Sequence, residues 1–162
     1  MIIKGYLEIL EKGKNYRTSL LADFLKASTY AGIGFGNAGT GYVHAMSYSF
    51  GGKYHVPHGE ANYVLFMAIF KTYQKLLPNG KIAVLNKELS EILKCPEAKV
   101  YEELDRVLNE ILELKPMNSY GAKENDLDEF TKNTVDVQTR LTANGYIQFS
   151  AEQVLEIYKS VF

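Results

Sequence analysis

The sequence predicts an all-α fold, a multi-helix bundle of about six to eight helices. Apolar residues recur three and four apart along nearly all of the 162 residues, no stretch alternates polar and apolar as a strand would, and glycine and proline fall between the periodic runs. Ile3, Tyr6, Leu7 and Leu10 make one short helical face, which Gly13 ends. Leu20, Leu21, Phe24, Leu25, Ser28 and Ala31 mark a second, longer helix. A short helix is expected from Tyr42 to Phe50, broken by Gly51-Gly52, with Pro57 in the first turn of the next. Ala61 to Leu77 is apolar nearly all round, which implies burial on most sides, and Pro78-Asn79-Gly80 stops it. Val100, Leu104, Val107, Leu108, Ile111 and Leu112 mark a helix ending before Pro116, and Leu127, Phe130, Thr134, Val137 and Leu141 mark another. Ser150 with Gln153 reads as a capping box opening the last helix, which buries Val154, Leu155 and Tyr158. Met117 to Lys123 and Asn144-Gly145 read as loops. No composition shift or linker divides the chain, so one domain over residues 1–162 is expected.

Composition excludes several classes of function. Lys and Arg number 18 against 19 Asp and Glu, which lacks the basic excess of a nucleic-acid binder. The hydrophobic fraction of 46% is too high for a disordered chain. The apolar run Val64 to Phe70 falls far short of the ~18 residues that a membrane span requires. Met1-Ile2-Ile3-Lys4 is followed by no signal-peptide core, and the single cysteine, Cys95, cannot form an intrachain disulfide. A cytoplasmic location is the expectation.

Residues 32–41 read Gly-Ile-Gly-Phe-Gly-Asn-Ala-Gly-Thr-Gly, and Gly34 to Gly39 satisfies GxGxxG. That pattern binds a dinucleotide only when a strand precedes it and a helix N-terminus receives the pyrophosphate. Here a helical segment precedes it, so a Rossmann fold is not expected. The glycines instead suggest a close approach of backbone to another helix or to a ligand.

All three histidines, His44, His55 and His58, fall within fifteen residues. Neutral imidazole is a common ligand for Zn and Fe(II), and a helix and the loop after it can bring two together. The separation of His44 and His58 is not a tight zinc-finger or HExxH spacing. From spacing alone a metal pair and a pair of hydrogen-bonded surface histidines remain equally open.

Three segments taken together resemble the iron-containing alcohol dehydrogenase family: Ala31-Gly32-Ile33-Gly34-Phe35-Gly36-Asn37-Ala38-Gly39, then His44-Ala45-Met46, then Pro57-His58-Gly59-Glu60-Ala61-Asn62. Gly51 to Tyr63 is most similar to the branch acting on 4-hydroxybutyrate, and Arg140-Leu141 to Asn144 with Ser150 to Phe162 resembles a family C-terminus. The resemblance implies the helical C-terminal domain of a dehydroquinate synthase-like fold, with His44 and His58 as two metal ligands. It further implies Fe(II) or Zn acting as a Lewis acid on an alcohol or 4-hydroxy acid, with hydride passing to NAD or NADP. Gly36, Asn37 and Gly39 are the cofactor-side candidates. Tyr48 stands where many members carry a proton-relay histidine, and a phenol can also pass a proton.

Family members place a nucleotide-binding domain and further metal ligands, an Asp and a His, upstream of this region. The chain is therefore expected to be the C-terminal part alone, lacking its nucleotide-binding partner domain and inactive by itself. Lys53 and His55 are candidates for a substrate carboxylate, although a solvated loop lysine is the plainer reading of Lys53. Surface left uncovered by a partner domain would be apolar, so a homo-oligomer is plausible. A non-catalytic helical module derived from the family is the alternative. A di-histidine hydrolase would need nearby carboxylates, and only Glu60 and Asp23 lie close in sequence.

Overall fold

A computed structural model describes residues 1–162, the whole chain, and every regular element in it is helical. Nine α-helices follow in order: α1 Ile2–Lys12, α2 Leu21–Ala38, α3 Tyr42–Tyr54, α4 His58–Leu76, α5 Lys81–Leu93, α6 Val100–Ile111, α7 Leu127–Lys132, α8 Thr139–Thr142 and α9 Ala151–Ser160. No helix is long and apolar enough to cross a membrane.

The all-α expectation holds, with nine α-helices in place of the expected six to eight and further differences in detail. α3 does not break at Gly51-Gly52 but runs on to Tyr54 and ends at His55, which takes the left-handed conformation (φ 53°, ψ 35°). Interior glycines cost a helix roughly 1 kcal/mol each. Two anchors favour continuation: Phe50 is fully buried, and the last turn is tied down by Lys53 and Tyr54. Pro57 sits at the N-cap of α4, just ahead of the turn expected to hold it. The run Leu127 to Leu141 is not one helix: α7 passes into a π-turn at Asn133–Val137 before α8. α5 has no counterpart among the expected helices and buries Ile82, Asn86, Leu89 and Leu93, the stripe of an amphipathic helix.

The chain groups into two units, each made of two segments. The first holds residues 1–38 and 79–113, hence α1, α2, α5 and α6. Within it α6 buries Val100, Tyr101, Leu104 and Val107 and packs against α1 and α5. The Tyr101 hydroxyl donates to Asn86 Oδ1 at 2.8 Å, which satisfies a buried amide between α6 and α5.

The second unit holds residues 39–78 and 114–162, hence α3, α4, α7, α8 and α9. α4 buries Ala61, Val64, Leu65, Met67, Ile69 and Tyr73, in line with its apolar circumference. α9 opens on the expected capping box: Gln153 N–H donates to Ser150 Oγ at 3.3 Å, and Ser150 N–H to Gln153 Oε1 at 2.9 Å. It packs against α7 and α4, and its fully buried Tyr158 donates to the Met46 carbonyl at 2.7 Å. α3 is thereby gripped by α4, α7 and α9, which fixes the helix that carries His44.

Candidate metal centre

His44 lies in the first turn of α3 and His58 is the first residue of α4. Left-handed His55, buried Val56 and Pro57 turn the chain between them, so the start of α4 returns against α3. The two helices meet closely at Gly51, where an added Cβ would lie 3.3 Å from the Ala61 methyl. As a result the rings of His44 and His58 stand 5.2 Å apart, centroid to centroid, at an interplanar angle of 53°.

Both rings turn the same nitrogen toward one amide. Asn62 Nδ2 is 3.0 Å from His58 Nε2 and 3.4 Å from His44 Nε2. Burial, and after it the neighbouring His58, push the His44 imidazole below its ordinary value, which favours the neutral form that coordinates metal. Tyr48, one turn beyond His44 on α3, completes an aromatic rim, its ring 6.3 Å from His44 and 6.0 Å from His58. It is 43% exposed, so the phenol is open to solvent.

The donor set fits one ion at two corners. Imidazoles that reach a shared Zn at roughly 2.1 Å with a near-tetrahedral angle between them hold their centroids about 5 Å apart, and the observed 5.2 Å agrees. No group of three or more His, Cys, Asp or Glu side chains is placed to hold a metal. Glu60, close by in sequence, accepts a hydrogen bond from the Tyr120 hydroxyl at 3.0 Å.

The remaining candidates fall elsewhere on the elements. Lys53 is helical, and its ammonium donates to Glu129 at 2.6 Å and Asp126 at 3.0 Å, so its charge is already balanced. His55 is exposed and serves as the left-handed terminus of α3. Gly36 and Asn37 belong to the last turns of α2, exposed, with Asn37 Nδ2 donating to the Ile33 carbonyl at 2.7 Å. Gly32, Gly34 and Gly36 have nothing within 4 Å of where a Cβ would stand, so close packing does not account for them. Gly39 does need to be glycine: its φ is +76° and a Cβ would meet the Asn144 amide. Ser47 and Asn62 were missed by the sequence reading. The signal was available, since Ser47 is three residues from His44 and Asn62 four from His58, on the same helix faces.

Comparison with known proteins shows the family. The chain is 48% identical over 162 residues to 4-hydroxybutyrate dehydrogenase of Clostridium kluyveri, covering 100% of this chain and 44% of that protein. It is 31% identical over 144 residues to long-chain-alcohol dehydrogenase 1 of Geobacillus thermodenitrificans, covering 86% of this chain and 36% of that one. The chain thus spans less than half the length of these relatives. A crystal structure of 1,3-propanediol oxidoreductase shares the fold over 75% of this chain and 32% of its own, with a TM-score of 0.56 at 20% identity. The C-terminal model of the Fe-containing alcohol dehydrogenase family matches residues 1–162, and the chain therefore belongs to that family.

Proposed function

We propose that this chain is the metal-binding helical part of an NAD(P)-linked alcohol dehydrogenase of the 4-hydroxybutyrate type, with His44 and His58 as two of its ligands. The observation that supports it is the pair of imidazoles 5.2 Å apart with both Nε2 atoms turned to one side-chain amide. A divalent metal bound there, Fe(II) or Zn, supplies Lewis acidity that lowers the pKa of an alcohol. The chain's own residues do the rest. His44 and His58 donate their lone pairs, and Tyr48 Oη, on the open rim, can take or give a proton. Lys53 would meet a substrate carboxylate only by releasing Glu129, the more exposed of its two partners. His55 lies in the same turn and is the second candidate for that carboxylate. Gly36, Asn37 and Gly39 are, from the family resemblance, the candidates on the nicotinamide side.

Two nitrogen ligands are fewer than the three protein ligands of a catalytic zinc site. The chain by itself should therefore bind Zn2+ or Co2+ weakly and form no NADH from 4-hydroxybutyrate. Calorimetry should show near-stoichiometric binding that His44→Ala and His58→Ala each abolish. Binding that survives both substitutions would overturn the ligand assignment. Complete absence of binding in the unmodified chain would favour the second reading, a non-catalytic helical module.

A further inference from the structure

Ser47 and Asn62 form a chain of polar contacts that ends on both histidines. Ser47 is buried on α3 at 1% exposure, and its Oγ lies 2.6 Å from Asn62 Oδ1 and 3.1 Å from the His44 carbonyl. Asn62 then presents Nδ2 to His58 Nε2 at 3.0 Å and His44 Nε2 at 3.4 Å. The short contact favours one orientation of the amide. A separation of 2.6 Å belongs to O–H···O bonds, which run ~2.5–3.0 Å, and is shorter than the ~2.7–3.2 Å of N–H···O bonds. With the amide oxygen against Ser47, the single serine hydrogen goes to it at 2.6 Å, and the His44 carbonyl at 3.1 Å is the weaker of its two acceptors.

The rest follows from hydrogen counting. An amide NH2 has two hydrogens and no acceptor, and it faces two ring nitrogens. In that orientation each Nε2 accepts, so each ring carries its proton on Nδ1. That is the opposite of the tautomer that histidine prefers in water. We propose that Ser47 and Asn62 are positioning residues that hold His44 and His58 as paired Nδ1–H tautomers, with both Nε2 lone pairs aimed at one point. The lone pairs are thus set in advance where a shared cation would take them up from the amide. This last consequence rests on the reading of the two histidines as metal ligands, whereas the tautomers themselves do not.

Long-range 1H–15N correlation spectra of the 15N-labelled chain, recorded without added metal at a pH where both rings are neutral, read the tautomers directly. Both His44 and His58 should show protonated Nδ1 and bare Nε2, whereas exposed His55 serves as an internal comparison. Ser47→Ala and Asn62→Ala should shift both rings toward Nε2–H and weaken Zn2+ binding roughly 10–100-fold, the range for lost supporting groups around a metal. The backbone amide spectrum verifies folding in each variant, and the unmodified chain gives a decisive result even if a variant fails to fold. Nε2–H at either ring in the unmodified chain overturns the proposal, as do tautomers unchanged in folded Asn62→Ala. If the tautomers are as expected but Zn2+ binds no better than to the His44→Ala/His58→Ala chain, the positioning role stands and the metal reading falls.

Discussion

Asp126 gathers the Tyr54 hydroxyl, the Lys123 backbone N–H at 2.9 Å and the Lys53 ammonium at 3.0 Å around one carboxylate, with Glu129 sharing the lysine. Tyr54 chiefly, then the Lys123 amide and Lys53, hold its pKa down from 3.8 to about 2. Because the folded value is depressed, the network's contribution to stability is complete above the unfolded pKa and is lost as pH falls through the folded one. Urea midpoints should therefore decline from about pH 4 toward pH 2, and Asp126→Asn should flatten that part of the profile while lowering the midpoint at pH 7. A parallel profile in the variant would show that other carboxylates carry the dependence. None of this network could be read from the sequence, where Lys53 and Asp126 lie 73 positions apart. The two histidines were legible because a motif places them, and Ser47 and Asn62 were within reach of helical spacing. Which atom of Asn62 faces which ring required coordinates.

On the scale of the element, α3 shows why a glycine pair need not end a helix. Glycine lowers helix propensity by about 1 kcal/mol against alanine, a cost that one tertiary anchor can offset, and Phe50, Lys53 and Tyr54 anchor the turns around Gly51-Gly52. The two positions are not equivalent. An added Cβ at Gly52 meets nothing within 4 Å, while at Gly51 it would press the Ala61 methyl at 3.3 Å and the Val56 carbonyl at 3.6 Å. Gly52→Ala should thus stabilise the protein by about 0.5–1 kcal/mol. Gly51→Ala should gain the same propensity and lose it again by pushing α4 outward beside His58. Denaturant curves of the two variants separate these outcomes, and equal stabilisation by both would show that the α3–α4 contact has room to relax. Helix type was legible along most of the chain because the apolar spacing is local, although α5 (Lys81–Leu93) was not among the expected helices. The split of the Leu127 to Leu141 run was not, since it depends on where Thr134 meets Tyr158 of α9, 3.0 Å away and both fully buried.

For the whole molecule the all-α class followed from periodicity, whereas the grouping into two units did not. Each unit joins two separated segments, and the crossings at Gly39–Gly41, Pro78–Gly80 and Leu114–Pro116 look like ordinary helix stops. α2 is the element whose exposure matters most at this scale. It is apolar on most of its circumference, the mark of a buried helix, yet only Ala27 among its 18 residues is buried. Leu21, Leu25, Tyr30, Ile33 and Phe35 are all more than half exposed, Leu25 at 70%. Fully burying such side chains gives about 1.5–3 kcal/mol each, so five of them offer on the order of 10 kcal/mol, similar to the 4–15 kcal/mol that association itself costs. Those magnitudes predict weak, concentration-dependent self-association and not a tight dimer. In sedimentation velocity the average mass should rise above 18.3 kDa with protein concentration, and Leu25→Glu with Ile33→Glu should hold it at the monomer value. A single 18.3 kDa species at all concentrations would mean that the exposed apolar surface of α2 is too small or too dispersed to drive association.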